Sequence, residues 1–260
     1  MVDRTRPGPR RAGPEFERRR LVGELRSLSG PPPHDDLRSY LGSPVPVLGV
    51  RTAPFRRVVR ESGRRVAEWT PAVRWDFVER LWRGPIYEER AAAIELLGRR
   101  PFVTDERAWR LSARWVDDAT GWALSDSLAG GPVATLVGVH PERFQDLLRW
   151  TRSPNLWRRR ASTYALRAFL RVGDLDRPLR LLERLLDDPE RWVQRAVGTW
   201  LRECWKLDRT RTERFLRREA RRLAPVTITV ATERASARFR EELRRAARAR
   251  RGKPPTGRGL

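Results

Sequence analysis

The stretch Trp157-Arg-Arg-Arg160-Ala161 decides the fold, because its order of aromatic, arginine and alanine recurs along the chain at a constant interval. The aromatic positions are 35 residues apart and are occupied by Tyr87, Trp122, Trp157 and Trp192. A period of this length corresponds to two antiparallel helices with their turns, which is the unit of an α-solenoid. Each helix pair of such a fold buries its apolar face against the next, so the four units predict an all-α stacked architecture.

Helical spacing extends over most of the chain, where apolar residues recur every three to four positions and no stretch alternates as a strand would. Pro, Gly or Asp residues stand at the joints. The pattern predicts helices over residues 15–28, 37–41, 54–62, 71–83, 86–98, 106–116, 119–129, 141–151, 155–171, 175–186, 190–206, 210–223 and 228–249. We expect one helical repeat domain over 15–249, preceded by a flexible basic arm over 1–14 and followed by a disordered basic tail over 250–260.

The second repeat departs from the pattern at the residue after the arginine. The other three units have alanine there, whereas this unit has Asp126, and Ser125 replaces the arginine. A carboxylate in place of a methyl group is costly unless it is hydrated or faces a cation. Because Trp122 lies four residues before Asp126, both side chains lie on one helical face. The pair is either a functional site or, in the plainer interpretation, a core aromatic beside a solvated acid; the same core role is expected of Tyr87, Trp157 and Trp192.

The charge balance favours a polyanionic partner. The chain has 56 Lys and Arg residues against 33 Asp and Glu, which gives a formal net charge of +23. Such a field attracts nucleic acid rather than a neutral small molecule. We therefore expect DNA or RNA contacts from arginine-rich helices.

The remaining composition excludes several classes of protein. A single cysteine, Cys204, cannot form an intramolecular disulfide, and the N-terminus lacks a secretory pattern, so we expect the cytoplasm. No window approaches eighteen consecutive apolar residues, which excludes a membrane span. His34 and His140 are the only histidines, so the sequence predicts neither a metal site nor any other cofactor. A Gly-rich phosphate loop is also missing, which argues against an ATP-driven enzyme.

Several ordered stretches resemble the AlkD-like DNA alkylation repair family, the HEAT-like-repeat DNA glycosylases. The similarity covers about residues 35–235. The stretches are Tyr40-Leu-Gly-Ser-Pro-Val-Pro-Val-Leu-Gly-Val50 with Pro54 and Arg57, Leu81-Trp82, Pro85-Ile-Tyr-Glu-Glu-Arg90, Ala93-Ile-Glu-Leu-Leu97, Asn155-Leu-Trp-Arg-Arg-Arg-Ala161, Trp192-Val-Gln-Arg-Ala-Val-Gly198, Leu201-Arg-Glu203 and Leu223-Ala-Pro225.

The resemblance implies a stack of HEAT-like helix pairs with a concave DNA-binding surface. It implies hydrolysis of the N-glycosidic bond of cationic alkylated purines, such as 3-methyladenine and 7-methylguanine, in double-stranded DNA. The catalytic Trp-x-x-x-Asp pattern of the family falls on Trp122 and Asp126, and its DNA-contacting arginine falls on Arg160. The implied protein acts as a monomer in the bacterial cytoplasm, associated with the nucleoid when bound to DNA.

The chemistry of such a substrate suits the residues present. An N-alkylated purine already carries positive charge and leaves without protonation, so the demand is to stabilise an oxocarbenium-like sugar and admit water. Asp126 would stabilise that cation, and the electron-rich face of Trp122 would lie against the nucleotide. Lyase action needs an amine, and the only lysines are Lys206 and Lys253, so we expect a monofunctional glycosylase.

One departure from the family pattern concerns the wall of the site. Where the family has Gly-Trp, this chain has Gly198-Thr199-Trp200, so Thr199 occupies the aromatic position. A shift of one residue rotates a helical side chain by about 100°, which predicts that Trp200 turns into the core and the wall is weakened, unless Trp200 reaches around.

Further candidate contacts to DNA follow from the repeat and the resemblance. They are Tyr40, in the N-terminal signature, with Arg195 and Arg202 on the fourth repeat. The recurrence of arginine at positions 90, 160 and 195 also fits an inter-repeat salt bridge. The alternatives are a non-catalytic HEAT-like protein that recognises DNA structure and a repeat scaffold for an acidic protein.

Overall fold

The computed structural model describes residues 13–30, 36–104 and 106–251, and within these ranges every regular element is helical. The α-helices are α1 (Pro14–Ser27), α2 (Leu37–Leu41), α3 (Thr52–Arg65), α4 (Pro71–Trp82), α5 (Tyr87–Leu97), α6 (Glu106–Asp118), α7 (Trp122–Leu128), α8 (Ala134–Val139), α9 (Phe144–Trp150), α10 (Leu156–Tyr164), α11 (Arg167–Leu170), α12 (Asp176–Glu183), α13 (Arg191–Leu207), α14 (Arg209–Arg218), α15 (Pro225–Ala231) and α16 (Ala237–Arg251). The all-α prediction is confirmed. Residues 1–12 of the predicted arm and 252–260 of the predicted tail lie outside the described ranges.

The 35-residue period marks the helix starts. Tyr87 and Trp122 are the first residues of α5 and α7, and Trp157 and Trp192 are the second residues of α10 and α13. Asn155 caps α10, because its Oδ1 accepts a hydrogen bond from the backbone N–H of Trp157 at 2.9 Å. The repeat therefore places one aromatic side chain at the N-terminus of each of these four helices.

Chain contacts divide the protein into two compact units, Met1–Phe102 and Val103–Leu260. The single domain over 15–249 stays a prediction. In the first unit α1, α3, α4 and α5 pack around a buried apolar core. Its central side chains are Leu21, Leu25, Val59, Phe77 and Leu97.

The N-terminal signature segment is held by the start of α5. The buried carboxylate of Glu88 accepts hydrogen bonds from the backbone N–H groups of Leu48, at 3.0 and 3.1 Å, and of Gly49, at 3.0 Å. The N–H of Tyr87 donates to the carbonyl of Pro46 at 2.9 Å. Because Pro44 and Pro46 prevent a regular helix, these bonds supply the order that the segment cannot provide itself.

The second unit contains the repeats around Trp122, Trp157 and Trp192, and its helices α7, α10 and α13 are in contact in that order. Helix α13 also packs closely on α15. A β-carbon at Gly198 would lie 3.0 Å from the carbonyl oxygen of Thr227 and 2.9 Å from the β-carbon of Val230. The contact therefore requires glycine on α13, since backbone atoms of α15 cannot move aside as a flexible side chain would.

Several predicted helices differ in extent from the observed ones. The predicted helix 228–249 is broken, because α15 ends at Ala231 and α16 begins at Ala237. No Pro or Gly marks this break; the carbonyl of Thr232 instead accepts a hydrogen bond from Arg240 Nη2 at 2.7 Å. The predicted helix 119–129 continues through a π-helical turn at Ala129–Val133 into α8.

The continuation into α8 runs against the local sequence, because Gly130-Gly131-Pro132 normally ends a helix. The π turn accommodates Pro132, which has no N–H to donate. The hydroxyl of Thr135 donates to the carbonyl of Gly131 at 3.0 Å. Tertiary contacts of this turn with α6 and α10 outweigh the weak helix propensity of the segment. The predicted helix 155–171 is likewise divided, into α10 and α11.

Candidate functional site

Helix α7 presents the predicted catalytic pair, and its start is fixed by a glycine. Gly121 has φ of 84°, in the region that side chains with a β-carbon rarely adopt. It turns the chain so that α7 begins at Trp122. Trp122 is half-buried, and the side chain of Asp126, one turn further on, is 12% exposed. The sequence therefore placed both residues correctly on one short helix.

The Asp126 carboxylate forms a bidentate ion pair with Arg160 of the next repeat. Arg160 Nε donates to Oδ1 at 2.7 Å, and Nη2 donates to Oδ2 at 2.7 Å. The Arg160 side chain is 5% exposed, and its Nη1 donates to the carbonyl of Trp192 at 2.5 Å. Of the two ways to tolerate a carboxylate at this position, hydration or a cation, the structure uses the cation. Arg160 is thus both an inter-repeat salt bridge and a wall of the site.

Tyr164, which the sequence interpretation did not single out, completes this cluster. It lies one turn after Arg160 on α10, and its hydroxyl accepts a hydrogen bond from Arg160 Nη2 at 3.0 Å. The Arg160 guanidinium lies 5.1 Å from the centre of the Tyr164 ring. Arg160 Nη2 thus donates both to this hydroxyl and to Asp126 Oδ2. Burial raises the pKa of Asp126, and the neighbouring Tyr164 hydroxyl partly opposes that rise. Because Arg160 has only donors, the hydroxyl proton is not used in the bond with Arg160. The i, i+4 spacing from Arg160 was the signal available in the sequence.

Burial dominates the electrostatics of this cluster. It raises the pKa of Asp126 above its usual value of 3.8, and the hydrogen bonds and charge of Arg160 oppose that rise. Burial also raises the pKa of Tyr164, and the charge of Asp126 adds to the increase. For Arg160, burial lowers the pKa, but the hydrogen bond and charge of Asp126 outweigh it, so the net shift is upward. The cluster therefore combines one anion, one cation and one neutral donor.

The repeat aromatics are more accessible than a core role predicts. Trp192 is 43% exposed, and Tyr87 and Trp157 are half-buried. The core interpretation is therefore wrong for Trp192. The rings of Trp157 and Trp192 lie 6.1 Å apart at a tilt of 43°, and the Arg160 guanidinium lies 5.9 Å from the Trp192 ring centre. Aromatic faces thus stand beside the ion pair with part of their surface open to solvent.

One face of α13 carries Trp192, Arg195, Thr199 and Arg202, which are three or four residues apart. Arg195 is exposed, and the structure records no ion pair for it within the described residues. Thr199 is half-buried, and its hydroxyl donates to the carbonyl of Arg195 at 3.0 Å. Arg202 is half-buried and forms ion pairs with Glu203, at 3.5 Å, and Glu233. Of the two predicted phosphate contacts on this helix, Arg195 is the freer one.

Trp200 lies in the core, as the rotation of about 100° predicts. It is 7% exposed, and its ring meets that of Tyr164 edge to face, with centres 5.5 Å apart. Its indole nitrogen is buried and has no hydrogen-bond acceptor among the described groups. Trp200 therefore packs against the ring of Tyr164. It does not supply the aromatic side chain that is missing at position 199.

Tyr40 belongs to the other compact unit. It lies on α2, is 53% exposed, and follows the capping residue Asp36, whose side chain accepts a hydrogen bond from the N–H of Ser39. Its exposure is compatible with a contact to DNA.

A sequence model of the DNA alkylation repair enzymes matches residues 21–235. The chain belongs to this family. No curated protein matches the chain significantly.

Several solved structures have a similar fold. A predicted DNA alkylation repair enzyme from Enterococcus faecalis has 14% identity and a TM-score of 0.68, over 78% of this chain and 94% of that one. AlkD2 from Streptococcus mutans has 15% identity and a TM-score of 0.61, over 85% and 98%. The protein smu.31 from Streptococcus mutans UA159 has 17% identity and a TM-score of 0.52, over 74% and 96%. At these identities the likeness concerns the fold alone.

The described segments contain no group of three or more His, Cys, Asp and Glu side chains placed to hold a metal ion. Across the same segments, no helix is long and apolar enough to cross a membrane.

Proposed function

We propose that the protein is a monofunctional DNA glycosylase that hydrolyses the N-glycosidic bond of cationic alkylated purines, of the 3-methyladenine and 7-methylguanine type, in double-stranded DNA. Membership in the DNA alkylation repair family supplies the class of substrate. The single observation that carries the proposal is the fixed carboxylate of Asp126, held by Arg160 beside partly exposed tryptophans. We further propose that it acts as a monomer in the bacterial cytoplasm.

The proposed reaction needs a stationary anion rather than a proton donor. The bond between the sugar C1′ and the purine nitrogen breaks, and its electron pair neutralises the positive charge of the alkylated base. The sugar becomes oxocarbenium-like, and the Asp126 carboxylate stabilises it across a short distance. Water then adds to C1′ and releases one proton to the carboxylate or to solvent. A carboxylate oriented in advance lowers the barrier because it does not reorganise during the reaction.

The hydrogen-bond count of Arg160 defines its part in this mechanism. A guanidinium has five N–H groups, and four of them are used by Asp126, Trp192 and Tyr164. One N–H remains for a DNA phosphate. The main contribution of Arg160 is therefore to orient the carboxylate, while exposed Arg195 is better placed to contact the backbone.

The proposal includes no lyase activity, because the described residues contain one lysine, Lys206, and its amine is paired with an acid. Lys206 lies at the end of α13, where it forms an ion pair with Glu203, and Lys253 lies outside the described residues. A Schiff base with the abasic sugar requires a free amine at the site. We therefore expect an intact abasic product that only added base or heat converts to a strand break.

The decisive experiment measures release of 7-methylguanine from methylated DNA by the intact protein and by Asp126→Asn. We expect release by the unmodified protein and a loss of about 10²- to 10³-fold in the variant, because a preorganised charge is removed. Asp117→Asn is the matched control. Asp117 also forms a bidentate pair with an arginine of α10, Arg158, at 2.7 Å from Nε and 2.5 Å from Nη2, but it belongs to α6.

The second candidate function is non-catalytic recognition of DNA structure. Thr199 in the aromatic position and the buried Trp200 favour it, because they leave one wall of the site without a stacking surface. Salt-sensitive DNA binding without any release of methylated base would establish this function and refute the glycosylase. Equal release by the unmodified protein and Asp126→Asn would refute the mechanism but leave the activity intact.

A further inference from the structure

A row of exposed arginines on α3 lies outside the site described above. Its members are Arg56, Arg57, Arg60 and Arg64, and all four side chains are exposed. The opposite face of the helix is buried through Val58, Val59 and Ser62. We propose that these four arginines form a binding surface for the phosphate backbone of double-stranded DNA. The proposal rests on the chain being a DNA-acting protein but not on base excision.

The four charges have no ion-pair partner within residues 13–30, 36–104 and 106–251. Among the residues that the structure describes, no carboxylate lies within ion-pair distance of Arg56, Arg57, Arg60 or Arg64. Glu61, the only acid on α3, forms no ion pair with any of them although it stands four residues after Arg57.

Three other arginines of the same unit form ion pairs with acids. On α4, Arg80 pairs with Asp76 at 2.8 Å and Arg83 pairs with Glu79 at 2.8 Å. On α3 itself, Arg65 points away from the row and pairs with Glu17 of α1 at 2.7 Å. Arg65, Arg80 and Arg83 therefore each have an acidic partner, whereas the four arginines on the exposed face of α3 have none among the described residues.

Repulsion between the like charges of this row destabilises α3, and no ion pair within the described residues offsets it. Arg56, Arg60 and Arg64 are four residues apart, and like charges at that spacing destabilise a helix. At 1.5 Å per residue they extend over about 12 Å of helix axis. Guanidinium groups bind phosphate oxygens in a bidentate manner, and a line of regularly spaced anions removes the repulsion. A DNA strand is such a line, whereas an acidic peptide offers no fixed spacing.

The test compares two double variants that remove the same charge from the same unit. One is Arg56→Gln with Arg60→Gln, and the control is Arg80→Gln with Arg83→Gln. Binding of an undamaged fluorescent duplex is measured by anisotropy from low to high salt. For the α3 variant we expect the slope of log K against log salt to become shallower by about 1.8, or about 0.9 for each lost phosphate contact. We expect the control slope to stay unchanged.

Each other outcome overturns the proposal. Equal changes in the two variants would show that only net charge matters, and an unchanged α3 variant would show a solvated surface. A third variant, Arg56→Lys with Arg60→Lys, keeps the charge and should keep the slope, so a shallower slope there would show that positive charge at these positions does not set the affinity and would overturn the proposal. If polyglutamate competes with the duplex at equal charge concentration, the ligand of this surface is an acidic protein and not DNA. Base release is not measured here, so failure of this surface and failure of the glycosylase are separate results.

Discussion

Two arginines occupy the same repeat position and have opposite surroundings. Arg160 follows Trp157 by three residues, is buried, and binds the Asp126 carboxylate with two hydrogen bonds. Arg195 follows Trp192 by three residues, and it is exposed. The residue that Arg195 would meet in the preceding repeat is Ala161, where Arg160 meets Asp126. A single exchange of alanine for aspartate thus separates an arginine that orients a carboxylate from one that is available to DNA.

The comparison shows how a repeat protein acquires a site. Ser125 and Arg160 stand at equivalent positions, and each donates to the backbone carbonyl of the next aromatic, Trp157 and Trp192 respectively. This bond is part of the scaffold. The carboxylate of Asp126 is the addition, and it uses an arginine that the repeat already supplied.

The largest expected effect is the difference in the free energy of unfolding between the alanine variants of Arg160 and Arg195. Arg160→Ala leaves the Asp126 charge buried without its partner, so we expect the free energy of unfolding to fall by about 3–5 kcal/mol. Arg195→Ala removes an exposed side chain and should change it by no more than about 0.5 kcal/mol. Urea denaturation followed by circular dichroism measures both. Equal losses in the free energy of unfolding would mean that the buried ion pair of Arg160 contributes no more to stability than the exposed Arg195.

Removal of the Tyr164 hydroxyl should have an intermediate effect. Tyr164→Phe keeps the ring against Trp200 and Arg160 but removes a hydrogen bond to a charged group, so we expect base release to slow by about tenfold. The reaction needs ionised Asp126, and release therefore declines as the pH falls through the pKa of that carboxyl. Because the Tyr164 hydroxyl lowers this pKa, its loss should move the acid limb of the pH profile to higher pH.

A purely structural role of Tyr164 would give a different result. The rate would then fall at every pH together with stability, and the acid limb would stay in place. The carbon-13 NMR titration of Asp126, assigned with Asp126→Asn, gives the same pKa comparison without any turnover. An unchanged pKa in Tyr164→Phe would refute the role of the hydroxyl.

The smallest effect concerns DNA affinity. Arg195→Gln should make the salt dependence of duplex binding shallower by about 0.9, the contribution of one phosphate contact. Arg209→Gln is the control, because Arg209 of α14 is also exposed but pairs with Glu213 at 2.8 Å. Anisotropy titrations at several salt concentrations separate the two. A larger change in the control would assign the backbone contact to α14 instead.

The sequence predicts the repeat and the helix that carries Trp122 and Asp126, because both follow from spacing alone. It also predicts the burial of Trp200, since one residue of shift on a helix is a known rotation. The exposure of Trp192 is not predictable from period, because a large side chain at repeat spacing fits a core equally well. The choice between hydration and a cation for Asp126 depends on a contact across 34 residues, which only the stacked repeats bring about.

The remaining misses have local causes. The break between α15 and α16 has neither Pro nor Gly, and the hydrogen bond from Arg240 to Thr232 that accompanies it comes from eight residues away. The π turn before α8 keeps a helix going across Pro132, because packing there outweighs propensity. Tyr164 has an ordinary sequence context, and its meaning depends on the position of Asp126 in space.

The close approach at Gly198 restricts how this protein can vary. Since no β-carbon fits between α13 and the backbone of Thr227, the helix cannot slide or rotate to bring Trp200 round to the exposed face. An evolving chain could regain an aromatic wall only by replacing Thr199 itself, with every other side chain of α13 left in register. An insertion or deletion in this helix would break the close packing at Gly198. A point substitution on the outer face of the helix would leave that packing intact. The side chains on the outer face of α13 can therefore change, while the position of that face stays constant.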